Sequence, residues 1–88
     1  MNQLEQARAE IDRIDRQMAA LFEQRMQAVR QVAEYKKAQG MAILDSGREA
    51  QVLEKNSAYL QTAALKPWYR RFLQSLMDLS KEYQKELL

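Results

Sequence analysis

Ten residues in the first part of the chain set the frame for everything that follows. Leu4, Ala7, Ile11, Ile14, Met18, Leu21, Arg25, Ala28, Val32 and Tyr35 succeed one another at spacings that alternate between three and four. That is the heptad rhythm of a helix built to lie along another helix. Arg25 is the single charge in this stripe. A guanidinium drawn into such a seam costs several kcal/mol unless something anionic meets it. Arg25 therefore predicts a structural carboxylate partner such as Glu23 or Asp78, a register-setting polar layer, or a site for an anionic ligand.

The rest of the composition narrows the chemistry. A chain of 88 residues has room for one core, and a single domain over 1–88 is expected. Two Gly and one Pro, set among abundant Ala, Leu, Gln, Glu, Lys and Arg, describe an all-α protein. There is no cysteine, hence no disulfide framework or thiol chemistry. There is no histidine either, which removes the usual general base and the usual metal ligand. No metal and no cofactor are expected. A net charge of +2 is too small to argue for nucleic acid. No apolar run approaches the roughly 20 residues of a membrane span. The opening Met1 to Glu5 lacks the basic and apolar regions of a secretion signal, so a soluble cytoplasmic protein is expected.

Three helices are expected. The first runs from about Gln3 to Gln39, with Gly40 as a left-handed stop and Lys36 and Lys37 suiting its negative end. At about 1.5 Å per residue it is a rod of roughly 55 Å. Met41 to Leu44 form a short apolar loop. A second helix begins at Asp45 or Ser46, where Ser46 and Glu49 have capping-box spacing, carries Val52, Leu53 and Leu60, and fades near Thr62. Pro67 fits the first turn of a third helix that reaches close to the C-terminus. Two short helices cannot cover so long a rod, so a second copy of the chain is expected to complete it as a homodimer.

Candidate site residues are distributed over all three helices. Arg25 and Lys36 lie three turns apart on one face, about 16 Å along the axis, a gap suited to a small dianion. For Lys36 alone the plain alternative is a solvated lysine in a last turn. Arg8 lies roughly 25 Å before Arg25 and cannot share a ligand with it in one chain. An antiparallel partner brings Arg8 there if the two-fold axis passes near Met18 and Ala19; a solvated surface arginine is the alternative. Asp45, Arg48 and Glu49 cluster at the second helix start, where capping accounts for the carboxylates and a ligand hydroxyl offers a second use. On the third helix Leu73, Met77, Ser80, Gln84 and Leu87 share a stripe, two of them polar. Ser80 and Gln84 are one turn apart and mark either an exposed edge or a pair of pocket donors. Trp68-Tyr69-Arg70-Arg71 is read as a helix packing its aromatic side with its arginines in water, rather than as a nucleic-acid platform.

Taken together these positions resemble the all-helical class of chorismate mutases. Arg8-x-x-Ile11-Asp12-x-Ile14-Asp15, Leu21-x-x-x-Arg25 and Tyr35-Lys36 resemble that family's first helix. Ile43-Leu44-Asp45-Ser46-Gly47-Arg48-Glu49 resembles its loop and second-helix start, and Ser80-x-x-x-Gln84 its third-helix pair. The resemblance implies an intertwined antiparallel homodimer with two active sites and an isomerase of phenylalanine and tyrosine biosynthesis that converts chorismate to prephenate. It implies that Arg8 of one chain and Arg25 and Lys36 of the other bind the substrate carboxylates. Lys36 and Gln84 then donate to the ether oxygen, Glu49 with the backbone near Asp45 holds the ring hydroxyl, Ser80 assists at a carboxylate, and Arg48 orders the loop. Gly47 departs from the pattern, where a stiffer residue is expected.

The implied reaction is a unimolecular pericyclic rearrangement that needs no nucleophile, metal or proton transfer, which suits a chain without His or Cys. Two alternatives remain on the same scaffold. One is an isochorismate-pyruvate lyase, which the resemblance pairs with the Arg and Lys positions but without the acidic pair matched by Asp45 and Glu49. The other is a non-catalytic helical dimerisation or regulatory module.

Overall fold

The computed structural model describes residues 2–87; Met1 and Leu88, the two ends of the expected domain, lie outside the described residues. Helix α1 spans Gln3–Gln39, α2 Ser46–Ser57 and α3 Lys66–Leu87, with a single 3₁₀ turn at Ala63–Leu65 leading into α3. The described residues contain helices and connecting turns, as the composition predicts for an all-α chain.

Each helix end has a local cause. The Asn2 side chain accepts the Glu5 N–H at 2.8 Å and starts α1. Gly40 stops it at φ 64°, with the Gly40 N–H on the Lys37 carbonyl and the Met41 N–H on the Lys36 carbonyl. These are the two bonds of a Schellman motif, and the left-handed residue it requires is the one glycine in the chain with positive φ. For α2 the choice between Asp45 and Ser46 falls to Asp45, whose Oδ1 accepts the Arg48 N–H at 3.0 Å. Glu49 does not fold back to complete a capping box with Ser46; its carboxylate reaches α3 instead. The expected run of α2 to Thr62 is also corrected. After Ser57 the Tyr59 and Leu60 amides bond to carbonyls three residues back, so the helix tightens and dissolves. Leu60 continues the apolar rhythm past the true end, and no glycine or proline marks the stop.

Helix α3 packs against both α1 and α2. It buries Leu73, Met77, Ser80 and Gln84, one continuous stripe that is half polar. The face of α1 that meets it is Arg25, Val29, Ala33 and Lys36, with Ala33 sealed because a methyl lets the helices approach closely. This is one position round from the expected seam, and Val32 and Tyr35 stay exposed. Residues 3–24 of α1 are exposed throughout, including Leu4, Ile11, Ile14, Met18 and Leu21.

The chain's own core is therefore small. Ala33, Leu73 and Met77 are the buried apolar residues among those described. The molecule measures 55 × 25 × 16 Å, as long as α1 itself, with a radius of gyration of 16.2 Å. A compact chain of this length has a radius near 12 Å. Its apolar surface is spread along a rod rather than gathered inside.

Candidate active site

The second half of α1, the loop after it, the start of α2 and the stripe of α3 enclose a cleft of about 270 Å³. Arg25 and Lys36 enter it from α1, Asp45, Arg48 and Glu49 from the start of α2, and Ser80 and Gln84 from α3. Seven of the eight residues singled out in the sequence thus line one cavity. Arg8 does not. It sits on the exposed half of α1, one long stretch of helix away from the cleft.

Arg25 finds no carboxylate. Its Nη1 donates to Ser80 Oγ at 2.6 Å, and Ser80 in turn donates to the Leu76 carbonyl at 2.7 Å. The serine is 4% exposed, and its hydroxyl proton is spent on its own helix. Of the two acids considered for Arg25, Asp78 pairs with Lys81 and Glu23 forms no ion pair among the described residues. Burial pushes the Arg25 guanidinium below its ordinary pKa, and the nearby charge of Arg48 pushes it the same way. Two like charges thus share a partly desolvated space, and neither arginine forms an ion pair among the described residues.

Lys36 is anchored, not waving in solvent. Its Nζ donates to the Ile43 carbonyl at 2.8 Å, which ties the loop after α1 back to the helix. An ammonium has three donors, so two remain for a ligand. Gln84 is 6% exposed, and its Oε1 is buried with no hydrogen-bond partner. Buried polar atoms are seldom left unpaired, and those that are call for an account. The exposed-edge alternative for Ser80 and Gln84 is excluded by their burial.

One charged residue of the cleft escaped the sequence reading. Lys81 lies beside Ser80, and its Nζ is 3.0 Å from Glu49 Oε2 and 3.4 Å from Asp78 Oδ1. Pairing with Glu49 raises its pKa above the ordinary lysine value. A lysine flanking a buried stripe normally reads as solvated, and only the packing of α2 on α3 shows what it meets. Ile43, Val52 and Met77 supply apolar wall. At the start of α3, Arg71 stacks over the Trp68 ring at 5.3 Å and Tyr69 stacks on Phe72, but Trp68 stays exposed rather than packed.

The cleft's charge is lopsided. Arg25, Lys36, Arg48 and Lys81 face Asp45 and Glu49, an excess of two positive charges among the lining residues. Among the described residues no group of three or more acidic side chains gathers to hold a metal ion. Chemically the cleft can bind a small dianion, accept a hydrogen bond from a hydroxyl at its acidic side, and present nitrogen donors to charge that develops between the helices. No helix of the described residues is long and apolar enough to cross a membrane.

Comparison with curated proteins gave no match. Comparison with family models did: residues 7–85 match the one described as chorismate mutase type II, a span that begins before Arg8 and contains every residue lining the cleft. With the match running through all three helices, the chain belongs to the chorismate mutase type II family.

Proposed function

We propose that the cleft catalyses the rearrangement of chorismate to prephenate, and that it does so in a homodimer whose two sites are each shared between chains. The observation that carries this reading is Arg25: a half-buried guanidinium with no carboxylate partner, crowded by Arg48 and opening on a cavity with two excess positive charges. A dicarboxylate substrate neutralises that excess. The mutual repulsion of Arg25 and Arg48 turns into attraction for the ligand.

The reaction asks little of titrating groups. A C–O bond breaks as a C–C bond forms within one molecule, and negative charge gathers on the ether oxygen. Arg25 and Arg8 of a second copy grip the carboxylates, which holds the compact reactive conformer. Ser80 acts here through Arg25, since its proton is committed to Leu76 and its lone pair fixes the guanidinium. Lys36, held by Ile43, and the Gln84 amide face the ether oxygen as preorganised donors. Glu49 accepts the ring hydroxyl next to Asp45, and Arg48 orders the entrance of α2.

The exposed half of α1 supports the dimer. Leu4, Ile11, Ile14, Met18 and Leu21 form an uncovered apolar ridge along residues 3–24, and a monomer rarely leaves so long a ridge in water. An antiparallel second copy covers it and carries Arg8 to the cleft. The acidic side formed by Asp45 and Glu49 favours the mutase over a lyase acting on isochorismate.

Incubation of the purified chain with chorismate tests this. Prephenate formation at a rate proportional to enzyme is the expected result. Turnover of isochorismate alone makes the protein a lyase, and inertness toward both makes it a helical module that kept the fold.

A further inference from the structure

Glu49 is held by a lysine, and that lysine is held in turn. Along α3, Gln74 Nε2 donates to Asp78 Oδ1 at 3.0 Å, Asp78 accepts from Lys81 at 3.4 Å, and Lys81 crosses to Glu49 Oε2 on α2 at 3.0 Å. Both ends of the crossing are three-quarters or more buried, with side-chain exposures of 25% for Lys81 and 20% for Glu49. Asp78, by contrast, is mostly in water. The network thus runs from solvent into the cleft and ends on a carboxylate that lines it.

We infer that Lys81 is a positioning residue for this site: it fixes the Glu49 carboxylate as a hydrogen-bond acceptor for the ligand's ring hydroxyl and cancels the charge that Glu49 would otherwise turn on a dianion. The inference rests on the chorismate reading of the cleft. Without Lys81, Glu49 is an unpaired carboxylate in the wall of a pocket that must take up a doubly negative molecule. Oppositely charged neighbours within about 4–6 Å are what offset such repulsion. Lys81 commits two of its three donors to Glu49 and Asp78, and its role in this inference is to act through Glu49 rather than by touching the substrate. The hydroxyl takes no part in bond making, so its acceptor serves ground state and transition state alike. Such uniform binding shows in KM and leaves kcat nearly unchanged.

The experiment compares wild type, Lys81→Met, Lys81→Arg, Glu49→Gln and the Lys81→Met/Glu49→Gln double variant. Each is assayed with chorismate and with a pair of bicyclic dicarboxylate inhibitors, one with the ring hydroxyl and one without. Lys81→Met is expected to raise KM on the order of tenfold, the scale of one charge-assisted hydrogen bond, with kcat within about twofold. Its preference for the hydroxylated inhibitor should fall by a similar factor, and Lys81→Arg should restore both. In the Glu49→Gln background the Lys81→Met change should add little, because there is no carboxylate left to hold. Losses that multiply in the double variant make Lys81 a direct substrate ligand and overturn the inference. Equal weakening of both inhibitors, or a lowered melting temperature with unchanged KM, makes Lys81 a brace between α2 and α3 and overturns it too. Wild type that forms no prephenate overturns the chorismate reading and this role with it, whereas active wild type beside an unaffected Lys81→Met removes Lys81 alone.

Discussion

Arg25 and Ser80, 55 residues apart in the chain, meet at 2.6 Å, and the serine that receives the guanidinium is itself bonded to the Leu76 carbonyl. A neutral hydroxyl orients Arg25 without neutralising it. The positive charge is aimed into the cleft and left for a ligand to satisfy, whereas a carboxylate in place of Ser80 would have closed the site electrostatically.

Arg25→Met tests whether that charge serves binding at the expense of stability. Desolvation and Arg48 both disfavour the charged guanidinium in the folded chain, and arginine stays protonated through the working range, so the cost is present at every ordinary pH. The unliganded variant should melt no lower than wild type at equal protein concentration. Affinity for a bicyclic dicarboxylate should fall by about 2–5 kcal/mol, the usual loss on truncating one side of a buried charge pair. Calorimetric melting with and without the inhibitor gives both numbers; a destabilised variant that still binds makes Arg25 a structural residue.

Gly47 lies in the first turn of α2 at an ordinary negative φ, and a Cβ built there meets only Asp45 Oδ1 at 3.6 Å, normal contact distance. Gly47→Ala should therefore stabilise the protein by about 0.4–1 kcal/mol, mainly by restricting the unfolded chain. Thermal unfolding measures it. A loss of stability would show that the N-cap of α2 needs the glycine's freedom.

The pH profile of kcat/KM should be nearly flat from about pH 6 to 9. No histidine titrates there. Pairing raises the Lys81 pKa above its ordinary value, so its contribution is complete below the usual lysine range and fades only as pH climbs through the raised value. Gln84→Glu should break this flatness. A carboxyl in that buried position is pushed toward its neutral form and can donate to the ether oxygen only while protonated. The variant should work in acid and fail in base; an unchanged profile places Gln84 away from the reacting oxygen.

Sharing of the site between chains gives the sharpest outcome. Lys36→Ala should lose on the order of 10²–10³ in kcat/KM, as for other preorganised donors at developing charge, and Arg8→Ala should be similarly inactive. Refolded together in equal amounts, half the dimers are mixed, and each mixed dimer holds one site with both defects and one with none. About a quarter of wild-type activity should return. If mixing restores nothing beyond the average of the two variants, Arg8 does not act across the dimer.

The local sequence determined that there are three helices and where α1 begins and ends, though not where α2 stops. Asn2 and Gly40 bound α1 through hydrogen bonds that reach no further than five residues, and Pro67 is compatible with the opening turn of α3 because its missing N–H is one that no helix start needs. The half-polar stripe of α3 and the lone charge of α1 were equally legible, since helical periodicity alone puts Ser80 with Gln84 and Arg25 among apolar neighbours. The tertiary structure decided what periodicity cannot carry: which face of α1 meets α3, and who partners whom. Ala33 rather than Val32 is the buried position of α1, so Val32 stays half exposed in the cleft wall, Tyr35 lies outside, and Arg25 reaches Ser80 rather than an acid. Capping spacing suggested that Glu49 would fold back on its own helix, but the crossing of α2 and α3 brings Lys81 within 3.0 Å, and a charged partner outcompetes a local amide. A side chain's helix is written in its neighbours along the chain; its partner is chosen by the angle at which two helices cross.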